Sequence, residues 1–455
     1  MSTPPSRGMW SSRAGFILAA AGSAVGLGNI WGFPTQVGQG GGAAFVVVYL
    51  ACIFLICAPI MAGEIALGRR TRQSPVGSFA ALAPGRRWWL VGGLGVLAGV
   101  GILSFYSVIA GWAVAYVWFV ATGAVSGSPD EIGRFFSEFT GNGLVSAALA
   151  FFVIGTTAAV LLGGVRSGIE RVTKALMPLL VLLLIALAVR AVTLPGAGAG
   201  LAYYLSPDLA RLADVGVFTS ALGQAFFSLS LGMGCILTYG SYFSRQDGIA
   251  ASALWIVALD TSIALLAGFI IFPVGFSIAG FDPTASGPGL IFTVLPRLFA
   301  EFPGGQLFGA AFFLLLSVAA LTSTISLLEV PVSHCVDALG WSREKAVGAV
   351  TATVCVLAIP SALGNGAVAV FTSVPGFGIG FLDLMVNAWN EFALPIGGCL
   401  TAIFIGRIWG VGRALEELRA EGAWFPVPDL WAFLIRWICP VAIASILIAT
   451  LVSML

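Results

Sequence analysis

The run Gly22-Ser23-Ala24-Val25-Gly26-Leu27-Gly28-Asn29-Ile30-Trp31-Gly32-Phe33-Pro34 lies inside an apolar stretch long enough to cross a membrane, and a second such stretch carries Ser228-Leu229-Ser230-Leu231-Gly232-Met233-Gly234 at a similar depth. Lipid offers no water to backbone groups, so a spanning helix normally pairs every N–H and C=O internally. Clustered glycines and small polar residues at mid-depth predict that each helix stops and restarts there, leaving carbonyls and N–H groups free to hold something polar. Two interruptions in corresponding places of two halves point to a carrier with its site at the bilayer midplane. Four acids, Glu64, Asp260, Asp383 and Glu391, read as deep within spans, where an ionisable group is costly and marks function by default. Bond-making chemistry has little to work with. His334 is the one histidine, and the seven cysteines (Cys52, Cys57, Cys235, Cys335, Cys355, Cys399, Cys439) have no metal or disulfide spacing and read as packed free thiols. No nucleophile–base pairing is visible, so an enzyme is not expected.

The elements that must position these residues are transmembrane helices. The chain is 59% hydrophobic and 9% charged, with a mean hydropathy of +1.02, whereas ordinary soluble domains carry about a quarter charged residues. A net charge of +1 gives no reason to expect a nucleic-acid partner; the lipid bilayer is the expected surrounding. At about 20 apolar residues per crossing, the pattern predicts eleven spans: 14–38, 42–68, 89–122, 142–164, 168–190, 217–242, 250–279, 306–336, 345–362, 377–407 and 429–454. The first follows a short polar segment, lacks a small-residue cleavage site and reads as a retained span, not a signal peptide. Of the 21 Lys and Arg, only Arg134, Arg190, Arg211 and Arg297 fall on one side, with Arg436 inside the last span. The positive-inside rule then places the N-terminus in the cytoplasm and, with an odd number of spans, the C-terminus outside a multi-pass cell (inner or plasma) membrane protein. Residues 14–190 and 217–407 divide into two five-span halves, the second inverted because each half has an odd number of spans, and 429–454 stands apart as an extra helix in one transporter domain, 1–455. The loop 280–305, with Pro283, Pro288, Pro296 and Pro303, is placed to fold over the outer mouth.

Several motifs now occur together and in order: Trp10, the Gly22–Pro34 run followed by Gly40-Gly41-Gly42, Gly63-Glu64-Ile65-Ala66-Leu67-Gly68-Arg69, and the Ser228–Gly234 break. This set resembles the neurotransmitter:sodium symporter family from about Arg7 to the tenth span. The resemblance implies an all-α integral membrane protein with the LeuT-type 5+5 inverted repeat, discontinuous helices 1 and 6 and eleven transmembrane helices. It further implies one sodium site on Ala24, Asn29, Ser228 and Asp260, completed by the substrate carboxylate, and a second on Gly22, Val25, Ala319, Thr322 and Ser323. Carbonyls and hydroxyls at mid-depth suit a dehydrated hard cation; hydroxyls bonding back to their own helix are the competing reading of Thr322-Ser323-Thr324.

By the same resemblance the substrate carboxylate meets N–H groups around Gly26, Leu27 and Gly28, at the start of a half-helix whose dipole favours an anion, and the hydroxyl of Tyr106. The ammonium is held by carbonyls of Ala24, Phe227 and Ser228 and by the Ser230 hydroxyl. Ser23, Ile102, Phe227, Met233, Ser323 and Leu327 surround the substrate side chain without a fixed charge, which implies a neutral, hydrophobic amino acid. Met233 stands where some relatives have an aromatic, and its flexible thioether favours tolerance of large side chains. Glu64 is expected to brace the broken helices; Asp383 and Glu391 receive no role. Asp260 replaces a common Asn and supplies a fixed negative charge, so chloride is not expected to be required, and the empty carrier is expected to return with a proton on Asp260. At the inner gate the resemblance pairs Arg7 with Asp337, with Trp10 as plug and Tyr242 nearby, while Gly168 and Pro178 match a fifth-span motif for unwinding. The outer gate departs from the family: Gly32 replaces its arginine and Val386 its aspartate, leaving Tyr106, Phe227 and loop closure. The function implied is a symporter using two sodium ions and working by alternating access. A sodium-coupled carrier of another small zwitterion or amine (an osmolyte) stays open, and more distantly a sodium channel.

Overall fold

A computed structural model describes residues 8–277, 281–284, 290–300 and 303–453. Among them every regular element is helical, and no strand is present. The framework consists of α1 Arg13–Ala24, α2 Gly28–Gln39, α3 Ala43–Thr71, α4 Trp89–Ala121, α5 Gly143–Leu162, α6 Val165–Val192, α7 Val215–Ser228, α8 Cys235–Ser241, α9 Ile249–Phe276, α10 Gly305–Leu339, α11 Arg343–Leu363, α12 Phe381–Leu418 and α13 Pro428–Val452. Nine of these helices are long and apolar enough to cross a membrane singly, and α1 with α2, bent by 52° at their break, can make a tenth. The remaining pair, α7 and α8, has pieces of 14 and 7 residues, each too short to span alone, so length and composition do not by themselves yield the eleventh crossing. The helix expected over 377–407 runs on to Leu418.

Both predicted interruptions are present, and each has a local cause. Ser12 caps α1 by accepting the N–H of Gly15 at 3.1 Å. The helix then runs to Ala24, after which Val25 adopts an extended backbone (φ −72°, ψ 112°) and the chain re-enters helix through a π-turn over Gly28–Gly32. In the second break Ser230, Gly232 and Gly234 all have positive φ (53°, 78° and 80°). Two of the three are glycine, which occupies that region at little cost. Ser230 is instead held there by its hydroxyl, which donates to the carbonyl of Ser23 at 2.9 Å, so the two breaks are tied directly to each other.

The long helices α4 and α10 form the inner wall, with 72% and 78% of their apolar windows buried, whereas α13 is 22% buried and faces outward. Outside the spans, Pro129–Gly141 is a capped amphipathic helix. The Ser128 N–H and hydroxyl bond the carboxylate of Glu131 and hold it below the ordinary carboxylate range. Its Phe136 stacks on Phe292 of the helical stretch Leu290–Ala300, which also packs edge-on to Trp112 and Tyr116. The backbone of Pro283 lies against Gly38 near the end of α2. The described parts of the 280–305 segment therefore do lie over that end of the bundle.

Candidate functional site

Asn29, Ser228 and Asp260 come from three different helices, and each is completely buried. The Asn29 amide donates to the Ser228 hydroxyl at 3.0 Å, to the Asp260 carboxylate at 2.7 Å and to the Asp260 carbonyl at 3.1 Å, while its oxygen accepts the N–H of Gly26 at 3.0 Å. Ser228 in turn donates to the other Asp260 oxygen at 2.9 Å. Tyr49 of α3 joins the group by donating to Ser228 at 3.3 Å, a contact the sequence reading missed. The cluster is all-oxygen and amide, with a carboxylate at its centre, which is a donor set for a hard cation.

On the other side of the first break, α10 presents Thr322 and Ser323. Thr322 donates to the carbonyls of Ala319 (2.9 Å) and Val25 (3.4 Å), and Ser323 to those of Ser23 and Val25 (both 3.2 Å) and Ala319 (3.4 Å). The hydroxyls therefore do both things weighed for them: they bond back onto their own helix and also reach across to the carbonyls freed at the break. Gly22 packs with its Cα facing Thr322 and Met177. Buried carbonyls and hydroxyls converging from two helices again fit a small hard cation.

Between these two groups lies a small pocket bounded by Ser23, Ala24, Gly26 and Gly28 of the first break, Ile102 and Tyr106 of α4, Phe227, Ser230 and Met233 of the second break region, and Ser323 and Leu327 of α10. Among the described residues, no ionisable side chain other than the tyrosine contributes. Leu27 and Ser228 of the expected set lie beside it: the Leu27 N–H is bonded to the Tyr106 oxygen at 2.9 Å, and Ser228 belongs to the Asn29–Asp260 cluster. Because Tyr106 accepts that N–H, its own proton is left to donate onward. A Cβ on Gly26 would sit 2.4 Å from the Ser323 hydroxyl and 2.6 Å from that of Tyr106, so only glycine lets the backbone approach here. Glu64 braces the second break by accepting the Gly232 N–H at 2.9 Å.

Tyr106 and Phe227 also line a larger vestibule of about 480 Å³ that opens toward the end of α2 away from Trp10. They are thus the partition between vestibule and pocket. Gly32 and Val386, the two positions without the family's charges, both line that vestibule. Sequence reasoning missed Gln224, whose amide donates to the Gly28 carbonyl at 2.7 Å and fills the space over Gly32, where a Cβ would lie 3.0 Å from its oxygen. Two acids are relocated. Asp383 is exposed in the first turn of α12, not deep in a span, and Glu391 is exposed to the vestibule.

The opposite side is closed. Trp10 is 7% exposed; its indole donates to the Tyr239 carbonyl at 3.0 Å and its N–H to the Tyr242 carbonyl at 3.3 Å. Arg7 lies outside the described residues; Asp337 accepts the Ser74 N–H at 2.6 Å. Tyr242 donates to Glu329 at 2.7 Å, and Glu329 is ion-paired to Arg343 at 2.6 Å. A second carboxylate, Glu170 in the π-helical turn Val165–Glu170, accepts the Ser11 N–H at 2.8 Å and pairs with Lys174. The tally of four span acids therefore fell short, since Glu329 and Glu170 both lie inside predicted spans. Their presence there was the available signal.

A bundle of membrane-spanning helices with a small buried site between two broken helices defines a carrier, and comparison with known proteins agrees. Residues 7–127 and 131–455 match the Sodium:neurotransmitter symporter family. The chain is 37% identical over 439 residues, 95% of each chain, to the uncharacterized sodium-dependent transporter YhdH of Bacillus subtilis (strain 168). It is 33% identical over 433 residues, 84% of this chain and 68% of the other, to the sodium-dependent serotonin transporter of Drosophila melanogaster. A crystal structure of MhsT in complex with L-phenylalanine superposes with a TM-score of 0.88 at 44% identity, covering 97% of this chain and 99% of that one. The chain belongs to the sodium:neurotransmitter symporter family: it is a multi-pass membrane transporter with the LeuT-type fold and sodium dependence, and not an enzyme.

Proposed function

We propose that this protein is a sodium-coupled symporter of neutral, hydrophobic amino acids that works by alternating access. The observation that carries the substrate class is the pocket between the breaks. Its walls are apolar side chains and small hydroxyls, with the backbone of the first break and the Tyr106 hydroxyl bordering it and no acidic or basic side chain among the described lining residues. That arrangement suits a carboxylate and an ammonium on one carbon with an uncharged side chain. The similar MhsT was crystallised with L-phenylalanine, which supports the same class.

In this reading one sodium ion is held by the Ala24 carbonyl, Asn29, Ser228 and Asp260 together with the substrate carboxylate. A second is held by carbonyls of Gly22, Val25 and Ala319 with Thr322 and Ser323. The carboxylate of Asp260 balances the first cation, so chloride is not needed. Counting α7 with α8 as one crossing gives eleven spans, with 14–190 and 217–407 as inverted repeats, 429–454 outside them, the N-terminus cytoplasmic and the C-terminus outside. The open vestibule and the sealed Trp10 side correspond to an outward-facing state. Binding of the 20 common amino acids to the purified full-length protein, measured in sodium and in potassium, tests the proposal. Sodium-dependent binding confined to neutral, mainly apolar amino acids is expected; preference for a charged amino acid, or binding indifferent to sodium, contradicts it.

A further inference from the structure

Glu391 is left over from both cation groups and from the substrate pocket. The vestibule above Tyr106 and Phe227 is lined by apolar side chains and neutral polar ones such as Gln36, Gln39 and Asn390, and Glu391 is the single acidic or basic residue among the described residues that line it. It is exposed to that space and makes no ion pair among the described residues. The charges that relatives place at Gly32 and Val386 are missing from the same wall, so neither position supplies it with a countercharge. A cavity of about 480 Å³, taken as a sphere, is about 10 Å across, comparable with the Debye length of about 8 Å at physiological ionic strength. Low-dielectric walls around such a space focus the field of a charge into it and raise the local concentration of its counter-ions.

We propose that Glu391 is the electrostatic filter of the outer vestibule. It enriches cations, sodium and the ammonium end of an arriving zwitterion, and turns away anionic solutes before they reach Tyr106 and Phe227. The benefit to sodium and zwitterion rests on the transport function proposed above; the negative potential itself does not. It is a specificity device placed ahead of a pocket that has no acidic or basic residue of its own.

The potential can be read without any substrate. Gly223 lines the vestibule, and a Cβ built there meets nothing within 4 Å, so Gly223→Cys is a reporter with room to react; Ser220→Cys on the same wall is a second. The native cysteines are buried or half-buried, and the protein without the reporter supplies their background. Rates of modification by a trimethylammonium-bearing and a sulfonate-bearing methanethiosulfonate are measured in the full-length protein with Glu391, Glu391→Asp or Glu391→Gln. The ratio of cationic to anionic rate is expected to fall about fivefold on Glu391→Gln, to be kept by Glu391→Asp, and to converge among all three at 1 M salt. In proteoliposomes at low ionic strength the sodium half-saturation of Glu391→Gln is expected to rise about two- to fivefold. A reagent ratio that Glu391→Gln leaves unchanged overturns the filter, whatever the protein carries. A ratio that falls in a protein showing no amino-acid uptake upholds the filter and counts against the proposed substrate class.

Discussion

Tyr106 accepts the Leu27 N–H at 2.9 Å, lies beside the Ser323 hydroxyl and is 4% exposed between pocket and vestibule, so its hydroxyl proton is placed to be given to a ligand in the pocket. A hydrogen bond to a charged group contributes about 1.5–3 kcal/mol, and about 1.4 kcal/mol is tenfold in affinity. Tyr106→Phe is therefore expected to weaken binding of a neutral amino acid by about tenfold or more while leaving the melting temperature within a few degrees, as read by equilibrium binding and thermal unfolding. Unchanged affinity in a folded variant would remove Tyr106 from the site. At this scale the sequence was most legible where a polar residue interrupts an apolar run: Asn29, Ser228, Asp260, Thr322 and Ser323 all fall within two buried groups. Tyr49 and Gln224 were not legible. Each has a partner, Ser228 or Gly28, 179 or 196 residues away, and nothing in the local pattern separates a tyrosine or glutamine that bonds a distant break from one that anchors or solvates a helix.

The breaks between α1 and α2 and between α7 and α8 were legible because glycine and small polar residues in lipid have a restricted set of uses. The π-turns were not, since their geometry follows from tertiary packing. Ion pairs between helices were equally hidden. Arg69, near the end of α3, is fully buried and bonds Glu417 of α12 at 2.7 Å, across 348 residues, and also the carbonyls of Asp247 (2.9 Å) and Glu417. Replacing a buried pair by apolar groups is often neutral, whereas removing one partner strands a charge at a cost of about 3–5 kcal/mol. Arg69→Met is accordingly expected to lower the melting temperature in detergent by many degrees, and Arg69→Met with Glu417→Met to recover most of it. Arg70, 3.7 Å from Glu417 but 55% exposed, is too solvated to take over. A single variant that melts with the double would show that the pair is not a structural clamp.

Across the whole molecule, one side is open to a vestibule and the other is sealed by Trp10 against Tyr239 and Tyr242, with the two buried oxygen-rich groups and the pocket between them. The two breaks are cross-tied by Ser230 to Ser23 and by Gln224 to Gly28. Such a chain does work only if the downhill cation and the substrate cross together. The direct measurement is uptake of radiolabelled L-phenylalanine and other neutral amino acids by full-length protein in proteoliposomes under an imposed inward sodium gradient, with gluconate in place of chloride. The account predicts saturable accumulation above the external concentration that persists without chloride and is lost when sodium is replaced by potassium or its gradient is collapsed with an ionophore. Accumulation that ignores the sodium gradient, or sodium flux that proceeds undiminished with no substrate present, would contradict it.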